Sequence, residues 1–178
     1  MTFIPTCPFK PWDENTSQKN DTATIYFMKC AYNEALKAWE NGDIPIGAVA
    51  VTQNTIVARS YNKVEQQQCA CAHAEINIIQ QLSQQIGSWR LDNYTLYVTK
   101  EPCPMCSGAI YKARIPQVVI GLKDEEQGCL GGKFFLHEHL RLYHTVSIQY
   151  ETLQGACKDL LLEFFKQRRQ AAKQARSA

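Results

Sequence analysis

His73 and Glu75 stand two apart in the chain, and Cys103 and Cys106 stand three apart well downstream. If these residues work together, the fold must bring two distant segments to one point, and no other feature constrains it as much. Two cysteines at this spacing lie on one side of a helical turn, so both sulfurs reach a single ion. Pro104 suits the first turn of such a helix, where free N–H groups and the helix dipole favour thiolates. His73, Cys103 and Cys106 make a three-ligand set of the kind that holds catalytic zinc, with the fourth position left to water. With a helix opening at about His73, Glu75 falls in its first turn, beside the metal without ligating it. Zinc lowers the pKa of bound water to about 7, and Glu75 is placed to take its proton and pass it on.

A closed structural site would need a fourth ligand, for which Cys69, Cys71, Cys129 and His137 are the candidates. Zinc ribbons repeat the C-x-x-C pair, and this chain has one such pair; Cys69 and Cys71 are separated by one residue. A glutamate of acid–base type beside the histidine has no purpose in a structural site. The two segments together, in this order, satisfy the H-x-E…P-C-x-x-C signature of zinc-dependent nucleobase deaminases.

The chain has 178 residues, suited to one domain with a full hydrophobic core. Its eight cysteines are expected to be free or metal-bound thiols in a reducing cytoplasm. No apolar run reaches the length of a membrane span, and the first residues lack the pattern of a signal peptide. A net charge of +2 says little by itself, but its placement is informative. From Lys166 onward lie Lys166, Arg168, Arg169, Lys173 and Arg176, with no acidic residue.

Residues 1–21 read as a loosely ordered extension, with Phe3, Phe9 and Trp12 available to dock on the body, and 22–178 as the domain. A helix with a core-facing stripe runs from Asp21-Thr22 to Gly42. Two strands, Ile46–Val51 and Thr55–Ser60, join at Gln53-Asn54. A polar loop from Tyr61 to Cys71 leads to a helix from about His73 to Gln85. A strand Tyr94–Thr99, a helix from Pro104 to Ala113 and a strand Gln117–Ile120 follow. Gly121 to Lys133 reads as a mobile surface loop. Val146–Tyr150 is a last strand, and Cys157 to about Lys173 an amphipathic helix. Strands alternating with helices give an α/β layered domain.

Beyond the metal motifs, Pro45-Ile46-Gly47-Ala48-Val49, Asn62, Glu101 through Ile110, Arg114-Ile115 and Phe164-Phe165-Lys166-Gln167-Arg168-Arg169 carry a further likeness. The chain resembles the bacterial-type tRNA-specific adenosine deaminases of the cytidine-deaminase-like superfamily over nearly everything after residue 22. The resemblance implies a three-layer α/β/α fold with a central five-stranded mixed sheet, a homodimer, and one zinc ion per subunit. It implies hydrolytic conversion of the wobble adenosine in a tRNA anticodon stem-loop to inosine, with attack at C6 and Glu75 moving the proton to N1. It places Asn62 on the flipped base and Asp124 near the substrate backbone; the Ala74 backbone N–H, a free donor at a helix start, is expected to face the base as well.

Arg168 and Arg169 are suited to phosphates, and Phe165, with Phe164 as the alternative, to stacking on an unpaired base. One of the two phenylalanines is expected in the core. Cys69 and Cys71 read as small buried thiols. The segment Lys63 to Ala72, and Asp43 where the family has glutamate, depart from the family pattern on the substrate-facing side. Two other readings remain: a deaminase of a free base such as guanine, using the same zinc site without the basic helix, and a zinc-stabilised binding module without catalysis.

Overall fold

The computed structural model of the protein describes residues 3–139 and 144–177. Its centre is a five-stranded sheet in the order β2-β1-β3-β4-β5. The strands are β1 (Gly47–Thr52), β2 (Thr55–Tyr61), β3 (Thr95–Lys100), β4 (Gln117–Leu122) and β5 (Ser147–Gln149). β1 runs antiparallel to both of its neighbours, whereas β3–β4 and β4–β5 are parallel. The sheet is therefore mixed, as expected. β1 and β2 form a hairpin whose two turn residues, Gln53 and Asn54, both have positive φ (47° and 58°), the geometry that matches strand twist in a two-residue turn.

Side chains alternate across the sheet with the two-residue period of a strand. Ala48, Ala50, Leu96, Val98, Val118 and Ile120 meet Ile78, Leu82 and Ile110, which belong to α4 (Ala74–Ile86) and α5 (Pro104–Lys112). Val49, Val51, Tyr97 and Val119 face the other way, onto Phe27, Met28 and Ala31 of α2 (Ala23–Glu40). The last helix, α7 (Gln154–Ser177), joins that layer through Leu160 and Phe164 against Trp39. Helices thus cover both faces, giving three layers. At Gly47 the layers touch: a Cβ there would lie 2.2 Å from the Ala31 carbonyl oxygen and 2.3 Å from the Ala35 nitrogen.

This topology creates the site. β2 and β3 each run antiparallel to β1 and so point the same way. α4 follows β2 and α5 follows β3, so both helices begin at the same edge of the sheet.

Three segments differ from the sequence expectation. Residues 3–21, read as loosely ordered, include helix α1 (Glu14–Asn20). Asp13 caps it by accepting from the Asn15 N–H at 3.0 Å, and Glu14 takes both Arg59 Nη groups at 2.8 Å. The polar run is ordered because its charges find partners on the domain. The Tyr61–Cys71 loop contains a short helix, α3 (Val64–Gln67). The Gly121–Lys133 segment is not a free surface loop: Leu130 is fully buried and Cys129 nearly so. Beyond it lies a further short helix, α6 (Leu136–His139), which the sequence did not suggest.

Candidate active site

His73 is the N-cap of α4 and Cys103 the N-cap of α5, with Pro104 in the first turn; neither cap is closed by a side-chain hydrogen bond. Both side chains are therefore free to turn toward each other. His73 Nδ1 lies 3.7 Å from Cys103 Sγ and 3.4 Å from Cys106 Sγ, and the three donor atoms all fall within 4.8 Å of one another. The three expected ligands thus converge on one point. Cys69 and Cys71 are exposed, which corrects their reading as buried thiols. α3 ends at Gln68 in a left-handed conformation, and the chain turns outward there. Neither they nor Cys129 join the donor group; the side chain of His137 lies outside those described.

The donor set fits a soft divalent cation by its own chemistry. A hydrogen bond from Cys106 holds the Cys103 thiol down to about 4, and His73 acts in the same direction. That hydrogen bond, together with burial, raises Cys106. Its bond with Cys103 raises His73. Three donors sharing protons at helix N-termini form a nucleus that a cation satisfies with its own charge. Glu75, in the first turn of α4, is 3% exposed, and burial pushes its carboxyl above the ordinary carboxylate range. A buried carboxyl with its pKa raised in this way suits the part of a proton carrier. Ala74 opens the same turn, where a helix offers backbone N–H groups without internal partners.

A cleft of about 250 Å³ reaches this centre, and its lining includes His73, Asn62, Asp43, Gly42, Phe165 and Arg168. Asn62, His73, Phe165 and Arg168 therefore meet at one cavity, although α7 lies far away in sequence. Phe164 is core, fully packed on Trp39, and Phe165 is the exposed member of the pair. Arg169 is exposed on the same helix and is not among the cleft-lining residues. Asp124 is elsewhere too: its carboxylate pairs with Lys100 and accepts the Glu126 and Gln127 N–H groups at 3.0 and 3.2 Å. These are the contacts of a turn former, and they leave the expected substrate contact without support.

Similarity to known proteins decides the family. Residues 19–169 match the MafB19-like deaminase family. A tRNA-specific adenosine deaminase of Bacillus subtilis (strain 168) is 42% identical over 150 residues, 84% of this chain and 93% of that protein. The chain belongs to the tRNA-specific adenosine deaminase family. A relative of the same name from Aquifex aeolicus (strain VF5) is 37% identical over 81% of the chain and 95% of its own length. Among solved structures, a tRNA:A34 deaminase studied for A-to-I editing at the wobble position superposes with TM-score 0.74 at 33% identity, covering 76% of this chain and 99% of that one. A guanine deaminase from Bacillus subtilis matches 53% of this chain and 60% of its own, with TM-score 0.50 at 40% identity. The five-stranded mixed sheet with helices on both sides is the fold of this deaminase family.

Sequence reasoning named two buried carboxylates without finding what they hold. Glu101 accepts the N–H groups of Asp124, Leu130 and Gly132 at 2.9, 2.9 and 2.8 Å. It thereby folds the 121–133 segment around the residue that precedes Pro102-Cys103. Gly128 and Gly132 make room for it, since a Cβ on either would come within 2.4 Å of its carboxylate. Asp43, fully buried, accepts the Glu65 and Gln66 N–H groups at 2.7 and 3.1 Å and the Asn62 amide at 3.5 Å. It caps α3 and orients Asn62 at the cleft wall. Asp43→Ala is expected to destabilise the protein by about 3 kcal/mol, because buried donors lose their acceptor. It should also raise KM roughly tenfold with kcat little changed, the signature of lost substrate positioning. Denaturant unfolding and initial-rate kinetics check both.

Proposed function

We propose that the protein converts the wobble adenosine of a tRNA anticodon stem-loop to inosine by hydrolytic deamination. One observation carries this reading. The cleft that reaches His73 of the metal-ligating set is walled by Phe165 and Arg168 of the basic last helix, so a deamination centre opens onto a surface suited to RNA. His73, Cys103 and Cys106 would hold one zinc ion per subunit, which as a Lewis acid makes water a usable nucleophile near neutral pH. Glu75 is the residue that would take the proton of the attacking water and deliver it to N1 of the adenine. It then assists ammonia in leaving, so that adenosine and water become inosine and ammonia. Asn62, whose amide N–H donates to Asp43, offers its carbonyl oxygen to the base as an acceptor, and the Ala74 N–H is a donor near it. Phe165 stacks on an unpaired base, and Arg168 and Arg169 take phosphates.

A homodimer working in the cytoplasm completes the proposal. All eight cysteines are free of disulfides, in keeping with a reducing compartment. Among the described residues no helix is long and apolar enough to cross a membrane.

The double substitution Arg168→Gln/Arg169→Gln tests the RNA reading. It is expected to weaken stem-loop binding about tenfold at low salt and to lower the salt slope by about one to two units, with metal content unchanged. Equal RNA affinity in the variant and the wild type would point instead to a free-base substrate.

A further inference from the structure

Residues 3–12 belong to no helix or strand, and lie outside the 19–169 span that matches the family. The segment is nevertheless held in place. Trp39 Nε1 donates to the Pro5 carbonyl at 2.6 Å, Gln167 Nε2 to the Thr6 carbonyl at 3.0 Å, and Arg168 Nη1 to the Phe3 carbonyl at 3.3 Å. Ile4 packs at Gly42, where a Cβ would stand 3.2 Å from Ile4 Cγ1. Gly42 and Arg168 both line the cleft. Phe3 and Ile4 therefore continue the cleft rim outward from α7, yet they remain 49% and 50% exposed. Packing of the segment on the domain therefore leaves a large part of both side chains open to solvent.

We propose that this N-terminal segment is part of the RNA-binding surface, with Phe3 and Ile4 contacting the loop nucleotides that flank the target adenosine. The inference rests on the tRNA reading above and deepens it. The cleft, at about 250 Å³, is small beside the roughly 300–1,000 Å³ of small-molecule pockets. It suits one flipped base, which leaves the neighbouring nucleotides on the rim. Unpaired loop bases offer flat apolar faces beside anionic phosphates. The rim offers the complement: an exposed apolar pair set directly against Arg168, with Arg169 next along the helix. A second copy of this chain fits less well, because self-pairing of the patch about a two-fold axis would bring Arg168 and Arg169 toward their own counterparts.

The test uses the full chain with Phe3→Ser and Ile4→Ser combined, alongside Phe3→Tyr. The Phe3 anchor is a backbone carbonyl that side-chain replacement leaves in place, so loss of the Ile4 contact at Gly42 should lower the melting temperature only slightly, with metal content matching wild type. A fluorescent anticodon stem-loop RNA is the binding probe, and inosine formation on the same RNA gives kcat and KM. Kd and KM are expected to rise about tenfold, within the range for loss of a base–aromatic contact, with kcat changed less than about twofold. Phe3→Tyr should retain wild-type affinity. Unchanged Kd and KM in the double variant would overturn the proposal. So would a loss confined to kcat with a lowered melting temperature, or an altered mass by light scattering at unchanged RNA affinity, which would make the patch a contact between copies. A wild type that neither binds nor deaminates the RNA would remove the tRNA reading itself, a failure visible before any variant is compared.

Discussion

Glu75→Gln is expected to lower kcat by at least about 10³-fold, in the upper part of the range for general acid–base catalysis, while the protein keeps its metal. The expectation follows from the position of the side chain. Glu75 sits in the first turn of α4, two residues after the His73 N-cap, and is buried. It lies beside Cys106, but the convergent donor group that could hold a metal is His73, Cys103 and Cys106 without it. Glutamine keeps the shape and the burial and removes the capacity to carry a proton. The variant should therefore melt at or above the wild-type temperature, since burial already disfavours the charged form. Metal analysis, thermal melting and single-turnover deamination measure the three quantities together. A variant that binds metal and deaminates like wild type would remove Glu75 from the proton-transfer role.

Cys103→Ala should abolish activity by a different route. It removes one of three donors and the thiol with the most depressed pKa, about 4. The remaining pair cannot hold a catalytic ion tightly, so metal content and activity should fall together, both to background. Chelation of the wild type is expected to give the same loss, reversible on adding zinc, whereas the variant should not recover. The two substitutions are thus separable: Glu75→Gln is inactive with metal, and Cys103→Ala is inactive without it. An active, metal-free Cys103→Ala enzyme would remove the metal centre from the account.

The parts of this site that were legible in the sequence are those written as short-range patterns. His73, Glu75, Cys103 and Cys106 carry their chemistry in residue type and spacing, and Pro104 marks the helix start that presents the sulfurs. The Gln53-Asn54 turn and the alternating strands were legible for the same reason. The roles of Asp43 and Glu101 were not, because a buried carboxylate is recognised by the backbone N–H groups it collects. Asp43 collects those of Glu65 and Gln66 across the fold. Glu101 collects those of Leu130 and Gly132, which are likewise distant in sequence. The Gly121–Lys133 segment looked free because its organiser lies upstream. The same limit applied to residues 3–21, whose polar composition says nothing of the Arg59 guanidinium that receives Glu14.

Purified protein incubated with an anticodon stem-loop RNA bearing adenosine at the wobble position, beside separate reactions with guanine and free adenosine, tests the central claim most directly. Nucleoside mass spectrometry should find inosine at the wobble position and ammonia in equal amount, with guanine and free adenosine unchanged. Conversion of guanine with the RNA untouched would contradict the account.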